Sequence, residues 1–295
     1  MTIRTLAAAG AVQSAQGLDV SNFQGTFDWA AAKKSYAQLA FGIYRLTQGL
    51  GAAGMNSPDP GARHNHDQIG AQGLFRGAYH FLDPRLDGAA QARYHVGQLA
   101  KLGLDQAHMI WLDNEQAQGC TPAQVSACAR AFMAELDKLA PHNPRGVYTF
   151  VSFARDGYNA GLGAYPLWLA YPALKAPVQP PPWLSTQFRF WQWGTRNGID
   201  ADAYMGTFAD LKAWIAGFAP ASPDARWHGE YVTAGVFSLD QLAAKLGYPS
   251  NTLLRMTAVH YRTFGDDLGA WLHDVLAGKI PPATPIPAGI KIWCD

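Results

Sequence analysis

Two kinds of apolar pattern alternate between residues 17 and 218. Short, nearly continuous apolar runs occur at Gly17–Ser21, Leu39–Thr47, Phe75–Leu82, Met109–Glu115, Gly146–Phe150, Leu167–Tyr171, Phe188–Trp193 and Gly198–Ala203. Runs of this length, apolar on both faces, predict strands of a parallel sheet covered by helices. Between them lie stretches with apolar residues three and four apart, clearest at Ala89–Leu102 and Pro122–Ala140, which predict amphipathic helices. Eight strands in about 200 residues fit an α/β fold, a (β/α) TIM-like barrel. Later connections are shorter, and Ala176–Trp183 holds four prolines, so the second half of the barrel is expected to be irregular. Phe208–Gly217 reads as a closing helix.

The remaining segments divide the chain further. Residues 1–16 read as an N-terminal arm, because the apolar run Leu6–Val12 is short for a secretion signal. Residues 17–218 form the barrel, and residues 219–226, opening Ala219-Pro220-Ala221-Ser222-Pro223, read as a linker. Residues 227–295 then form a small α+β domain. Within it Ser238 caps a short amphipathic helix, and Ile286–Trp293 alternates like an edge strand.

Charge and cysteine content narrow the partners. The 23 basic and 22 acidic side chains are interspersed, leaving a net charge of +1, so there is no field to hold nucleic acid. No stretch approaches the ~20 apolar residues that cross a bilayer, so no membrane span is expected. Thr121-Pro122-Ala123-Gln124 forms a capping box with proline at the first helical position, placing Cys120 outside a helix that contains Cys128. The two would lie roughly 10 Å apart along that helix, beyond disulfide reach. Three free thiols, and synthesis in a reducing cytoplasm, follow as expectations.

The fourth predicted strand ends in the chemistry. In Ile110-Trp111-Leu112-Asp113-Asn114-Glu115 the carboxylates stand two residues apart, on one face of a strand at its C-terminal end. In a βα-barrel that end forms the active site. Read alone, the segment is equally an acidic turn in which Asn114 and Glu115 cap the next element. Gly17-Leu18-Asp19-Val20-Ser21 and Gly198-Ile199-Asp200-Ala201-Asp202 bring further acids to equivalent positions. Converging carboxylates repel, so at least one is expected to keep a proton near neutral pH, with Trp111 and nearby aromatics excluding water. His64 and His66 have a metal-like spacing but no further His or Cys pattern follows. A solvated loop, no metal and no cofactor are expected there. His80 is read as support for the barrel floor.

The motifs carry a resemblance. Gly17-Leu18-Asp19-Val20-Ser21 with Gln24-Gly25 and Asp28-Trp29, Gly77-Ala78-Tyr79-His80-Phe81, Leu112-Asp113-Asn114-Glu115, Pro166-Leu167-Trp168-Leu169-Ala170, Trp191-Gln192-Trp193 and Ile199-Asp200-Ala201-Asp202 follow one another in order. This ordered set resembles the glycoside hydrolase family 25 lysozymes, the muramidases of phage, bacteria and fungi. The resemblance implies cleavage of the β-1,4 bond from N-acetylmuramic acid to N-acetylglucosamine in bacterial peptidoglycan. It implies Glu115 as general acid and Asp19, Asp113 and Asp200 as the other acids, with Asp200 preferred to Asp202 because it directly follows Ile199. It also leaves two routes open: attack by the substrate's own N-acetyl oxygen with Asp113 orienting the amide, or direct water attack assisted by Asp200 or Asp19. The stretch Asn56–His66 departs from the pattern, so no substrate contacts carry over there.

Tyr79, Tyr148 and Trp168 are the aromatics expected against sugar rings, with Gln192 and Asp202 as polar neighbours, although core packing suits each aromatic as well. Trp191 and Trp193 share one strand face, so an inward Gln192 would put both tryptophans under helices. Both ends of the C-terminal unit resemble a LysM wall-binding module, and a structural cap is the competing reading. Chitinase-type barrels are a further comparison, but the aspartate ladder before their catalytic glutamate is missing, with His108 and Trp111 in its place. A silent sugar-binding barrel or a virion component are the non-enzyme readings, the latter implying virion association.

Overall fold

Seven strands running one way and an eighth running against them close a barrel in the computed structural model. The structure describes residues 14–51, 57–105, 107–173 and 175–218, and three short strands beyond them. The barrel strands are β1 (Ser14–Val20), β2 (Leu39–Gln48), β3 (Phe75–Phe81), β4 (Met109–Asp113), β5 (Arg145–Phe150), β6 (Leu167–Ala170), β7 (Phe188–Arg196) and β8 (Ile199–Thr207). Helices α1 (Trp29–Ser35), α2 (Ala62–Ala71), α3 (Gly88–Leu102), α4 (Pro122–Leu139) and α5 (Val151–Arg155) follow the strands, and α6 (Phe208–Ala216) follows β8. No helix among the described residues is long and apolar enough to cross a membrane.

Helix starts follow local side-chain chemistry. Asp28 and Asp87 accept from the backbone N–H of Ala31 and Ala90, and Thr121 and Thr207 form capping boxes with Gln124 and Asp210. Each cap satisfies donors that the first turn cannot pair. Alternation along the strands then builds two cores. Leu18, Tyr44, Ala78, Ile110, Leu112, Val147 and Leu169 face the helices, whereas Phe41, Ile43, Met109, Trp111, Trp168, Phe190 and Tyr204 fill the barrel. Leu211, Trp214 and Ile215 of α6 join the inner cluster, so α6 closes the end of the barrel opposite the acids. Trp111 is fully buried against Trp168 and Phe190, and replacing it with alanine would cost about 3–5 kcal/mol. At Gly17 the inner space is already taken, since a Cβ there would lie 2.0 Å from the Phe41 ring.

Several expectations need correcting. Strand β1 begins at Ser14, so the expected arm of residues 1–16 gives its last three residues to the barrel, where Gln16 pairs with Leu39 and Ala203. Residues 1–13 lie outside the described residues. Strand β8 is antiparallel to both β7 and β1, because the short β7–β8 connection (Asn197 and Gly198, both at positive φ) makes a hairpin. His64 and His66 sit on α2 instead of a solvated loop. His66 is buried, its Nδ1 3.0 Å from the Tyr44 hydroxyl, and Arg76 donates to its Nε2 at 2.9 Å. His66 is therefore neutral with its proton on Nδ1, which leaves the Tyr44 hydroxyl to donate to His108 Nε2 at 3.3 Å. His80 faces outward from β3, away from the barrel floor. Its Nδ1 is 2.8 Å from Thr47 Oγ1, its Nε2 meets Gln91 of α3, and its ring stacks on Phe132 of α4.

The chain divides into two units, Met1–Ala219 and Pro220–Asp295. In the second, β9 (Gly229–Val232), β10 (Tyr261–Thr263) and β11 (Lys291–Cys294) form an antiparallel sheet in the order β10-β11-β9. The final run, expected at an edge, is therefore the central strand of that sheet. The linker and the short helix expected to be capped by Ser238 lie outside the described residues.

Candidate active site

Five acids gather where β1, β4 and β8 reach the open end of the barrel. Asp19 is the inward residue next to the end of β1, and Asp113 is the last residue of β4. Glu115 lies two residues beyond, in the loop after the strand instead of within it. Asn114 fixes that loop: its N–H donates to Tyr148 O at 3.0 Å, and its Nδ2 donates to Tyr158 O and Asn159 Oδ1. Asp200 arrives from the start of the reversed strand β8, so the antiparallel direction brings an N-terminal strand end to this rim. The cleft between them, about 190 Å³, is lined by Asp19, Asp113, Glu115 and Asp200 together with Tyr79, Tyr148, Trp168 and Gln192.

Asp202 is placed differently. It is fully buried beneath the cleft, where Trp168 Nε1 donates to its Oδ1 at 2.8 Å, and it does not line the cavity. Of the aromatics, Tyr79 and Tyr148 are half-buried at the wall, while Trp168 is 2% exposed and offers little more than an edge. Gln192 points inward and links two elements: Tyr148 Oη donates to its Oε1 at 3.0 Å, and its Nε2 donates to Asp19 Oδ2 at 2.7 Å. With Gln192 inward, Trp191 packs outward and donates to Tyr171 O.

Burial raises every acid, and repulsion from neighbouring carboxylates adds to it for all but Asp200. Burial and the Asp200 and Glu115 charges push Asp19 up to about 7, opposed by the Gln192 hydrogen bond. Burial, then the charges of Glu115 and Asp19, holds Asp113 well above the usual carboxylate range, and its Oδ1 has no partner. Glu115 is raised by burial and by Asp200, and Asp200 by burial. Asp202 is raised well above its ordinary value by burial and by Asp19. A set of carboxyls that holds protons near neutrality, with one half-buried glutamate at the mouth, suits proton donation to a leaving oxygen. No group of three or more His, Cys, Asp or Glu side chains arranged to hold a metal occurs among the described residues.

The cleft also has a wall that sequence reasoning did not assign. Phe23, Gln24 and Arg45 line it beside Ser21. Arg45 is buried, with its Nε 3.0 Å from Asp59 Oδ2 and a further contact to Asn22 Oδ1. The signal in the sequence was a lone arginine inside the apolar run Leu39–Thr47. A buried charge in a strand requires a partner, and Asp59 was the distant one.

Known proteins resemble this chain over the barrel. Lysozyme M1 of Streptomyces globisporus is 27% identical over 219 residues, covering 67% of this chain and 70% of that protein. The crystal structure of the bacterial lysozyme from Streptomyces coelicolor superposes with a TM-score of 0.59 at 26% identity, covering 70% of this chain and all of that one. A muramidase from Trichobolus zukalii shares the fold at a TM-score of 0.59 and 24% identity, covering 68% of this chain and 99% of its own. The sequence profile of Glycosyl hydrolases family 25 matches residues 18–203, a span that holds the four acids lining the cleft and Asp202 beneath it. The chain belongs to glycosyl hydrolase family 25.

Proposed function

We propose that this glycoside hydrolase is a lysozyme: it cleaves the β-1,4 bond between N-acetylmuramic acid and N-acetylglucosamine in peptidoglycan. Glu115 is the general acid that protonates the leaving oxygen. The observation that carries the reading is Glu115 at the mouth of an acid-lined cleft, its carboxyl raised by burial and by Asp200. Asp113 receives the amide of the 2-acetamido group, for which its buried, unpartnered Oδ1 is free. The acetamido oxygen then attacks the anomeric carbon as the glycosidic bond breaks. Water, deprotonated by the Glu115 carboxylate, opens the resulting oxazolinium ring and restores the acid. Asp19, held by Gln192, and Asp200 set the field around that exchange. Asp202 supports Trp168 and Asp19 from below. Tyr79 and Tyr148 contact the sugars.

Residues 227–295 serve as a LysM-like wall anchor joined through residues 219–226, and the protein acts at the bacterial cell wall as a phage lysis enzyme or virion component. The test of the bond is chemical. Digested sacculi are reduced with borohydride and their sugars analysed; muramitol supports the reading. Glucosaminitol, or new amino groups without reducing ends, refutes it.

A further inference from the structure

The cleft carries one apolar side chain that the acids do not use. Phe23 lines the cavity and is 81% exposed, the most exposed large apolar side chain among the described residues. Single exposed apolar residues are ordinary on a protein surface, but this one is held in place. Its turn, Asn22–Gln24, starts at Ser21, which forms a capping box with Gln24 through a 2.8 Å hydrogen bond from Ser21 N to Gln24 Oε1. Asn22 N donates to Asp59 Oδ2 at 2.9 Å, and the same oxygen receives Arg45 Nε. The Arg45 guanidinium lies 5.4 Å from the Phe23 ring centroid, within cation–π range. A buried ion pair, a capped turn and a cation on the ring thus fix an aromatic side chain at the lip of the cleft, with most of its surface open.

We propose that Phe23 is a sugar platform, its open ring surface stacking on the C–H face of an N-acetylhexosamine next to the cleaved bond. The C–H face of a pyranose is the apolar surface that a fixed aromatic ring matches. Arg45, already oriented by Asp59, holds the ring and adds hydrogen-bond donors at the same wall. The proposal rests on the reading of this protein as a wall-glycan hydrolase and adds Phe23, which lines the same cavity as Tyr148 and Gln192, to its substrate contacts.

The test uses the full chain and soluble, uncrosslinked peptidoglycan glycan strands, with steady-state release of reducing ends for wild type, Phe23→Ala and Phe23→Trp. Phe23→Ala should raise KM about two- to twelvefold, the range of one aromatic stacking contact. Its kcat should change less, and its melting temperature should stay that of wild type because Phe23 packs on little of the core. Phe23→Trp should restore KM. An unchanged KM in Phe23→Ala overturns the platform. So does a rise that Phe23→Trp leaves uncorrected or that comes with a lower melting temperature, either of which marks a structural role. Wild type releasing no reducing ends from these strands removes the hydrolase reading and the platform with it. An active wild type with an unaffected Phe23→Ala removes the platform alone.

Discussion

Asp19→Asn should make the barrel more stable at neutral pH while impairing catalysis. Asp19 is 7% exposed and its carboxyl is pushed to about 7 from an ordinary 3.8. A folded-state pKa above the unfolded one means stability that is complete below 3.8 and lost as pH rises towards 7. Linkage over that interval, at about 1.4 kcal/mol per pH unit, gives a cost near 4 kcal/mol at pH 7 and under about 1 kcal/mol at pH 4. Asparagine removes the titration and keeps an oxygen for the 2.7 Å hydrogen bond from Gln192. Guanidinium unfolding followed by tryptophan fluorescence at pH 7 and pH 4 measures both values. The expected gain is a few kcal/mol at pH 7, shrinking several-fold at pH 4. Equal gains at the two pH values, or a loss at pH 7, would refute the claim that charge burial at Asp19 costs the fold stability.

Three other outcomes are expected. Glu115→Gln should lower turbidity clearance of cell-wall suspensions at least ~100-fold, the low end for a positioned acid, while circular dichroism and sedimentation with sacculi stay unchanged. Deleting residues 227–295 should spare hydrolysis of soluble glycan fragments and weaken clearance of intact sacculi, since a tethered module raises the local concentration of the barrel; equal sacculus binding with and without the segment removes the anchor. Thiol titration of the unfolded, unreduced protein should find three free thiols, consistent with Cys120 and Cys128 being free in the fold, and a count of one would reveal a disulfide.

The barrel was legible because its strands are apolar on both faces and its helices carry strong caps. The helix starting after Thr121 is an example, with proline and capping box both in place. What sequence pattern misses is direction. The run Gly198–Ala203 reads the same whether the strand runs up or down, and only a tight hairpin at Asn197-Gly198 reverses it. The rule that acids emerge at C-terminal strand ends accounts for Asp19 and Asp113 but not Asp200, which reaches the same rim from a strand beginning. His66 was misplaced for a different reason. Pro58, Pro60 and Gly61 just before α2 make the adjoining His64 and His66 read as loop, and the tertiary partners Tyr44, Arg76 and His108 make a buried helix favourable. For Phe23 and Arg45 the local signal is half of the answer: a lone arginine in the run Leu39–Thr47 calls for a partner, but the partner, Asp59, lies beyond the local pattern, and nothing near Phe23 ties it to either residue.

The two faces of the barrel wall place titratable groups with opposite effects on stability. Inside, Asp19, Asp113 and Asp202 have raised carboxyls, so acidification relieves their cost. Outside, between strands and helices, burial lowers His80 to about 4 and holds His95 and His108 well below their ordinary value, with His66 lowered by burial and Arg76. A base whose folded pKa is depressed contributes stability that is complete above about 6.5 and is lost as pH falls towards 4. For His80 alone the loss is about 1.4 kcal/mol per pH unit across that window. Asp19 gains a similar amount per unit over the same window, so the two slopes oppose each other and flatten the dependence of the parent's stability on pH between about 4 and 6.5. Removing Asp19 leaves the histidine slope less opposed. The Asp19→Asn protein should therefore be the more stable one at pH 7 and also the one that loses stability faster on acidification, a pairing that a merely better-packed variant would not show.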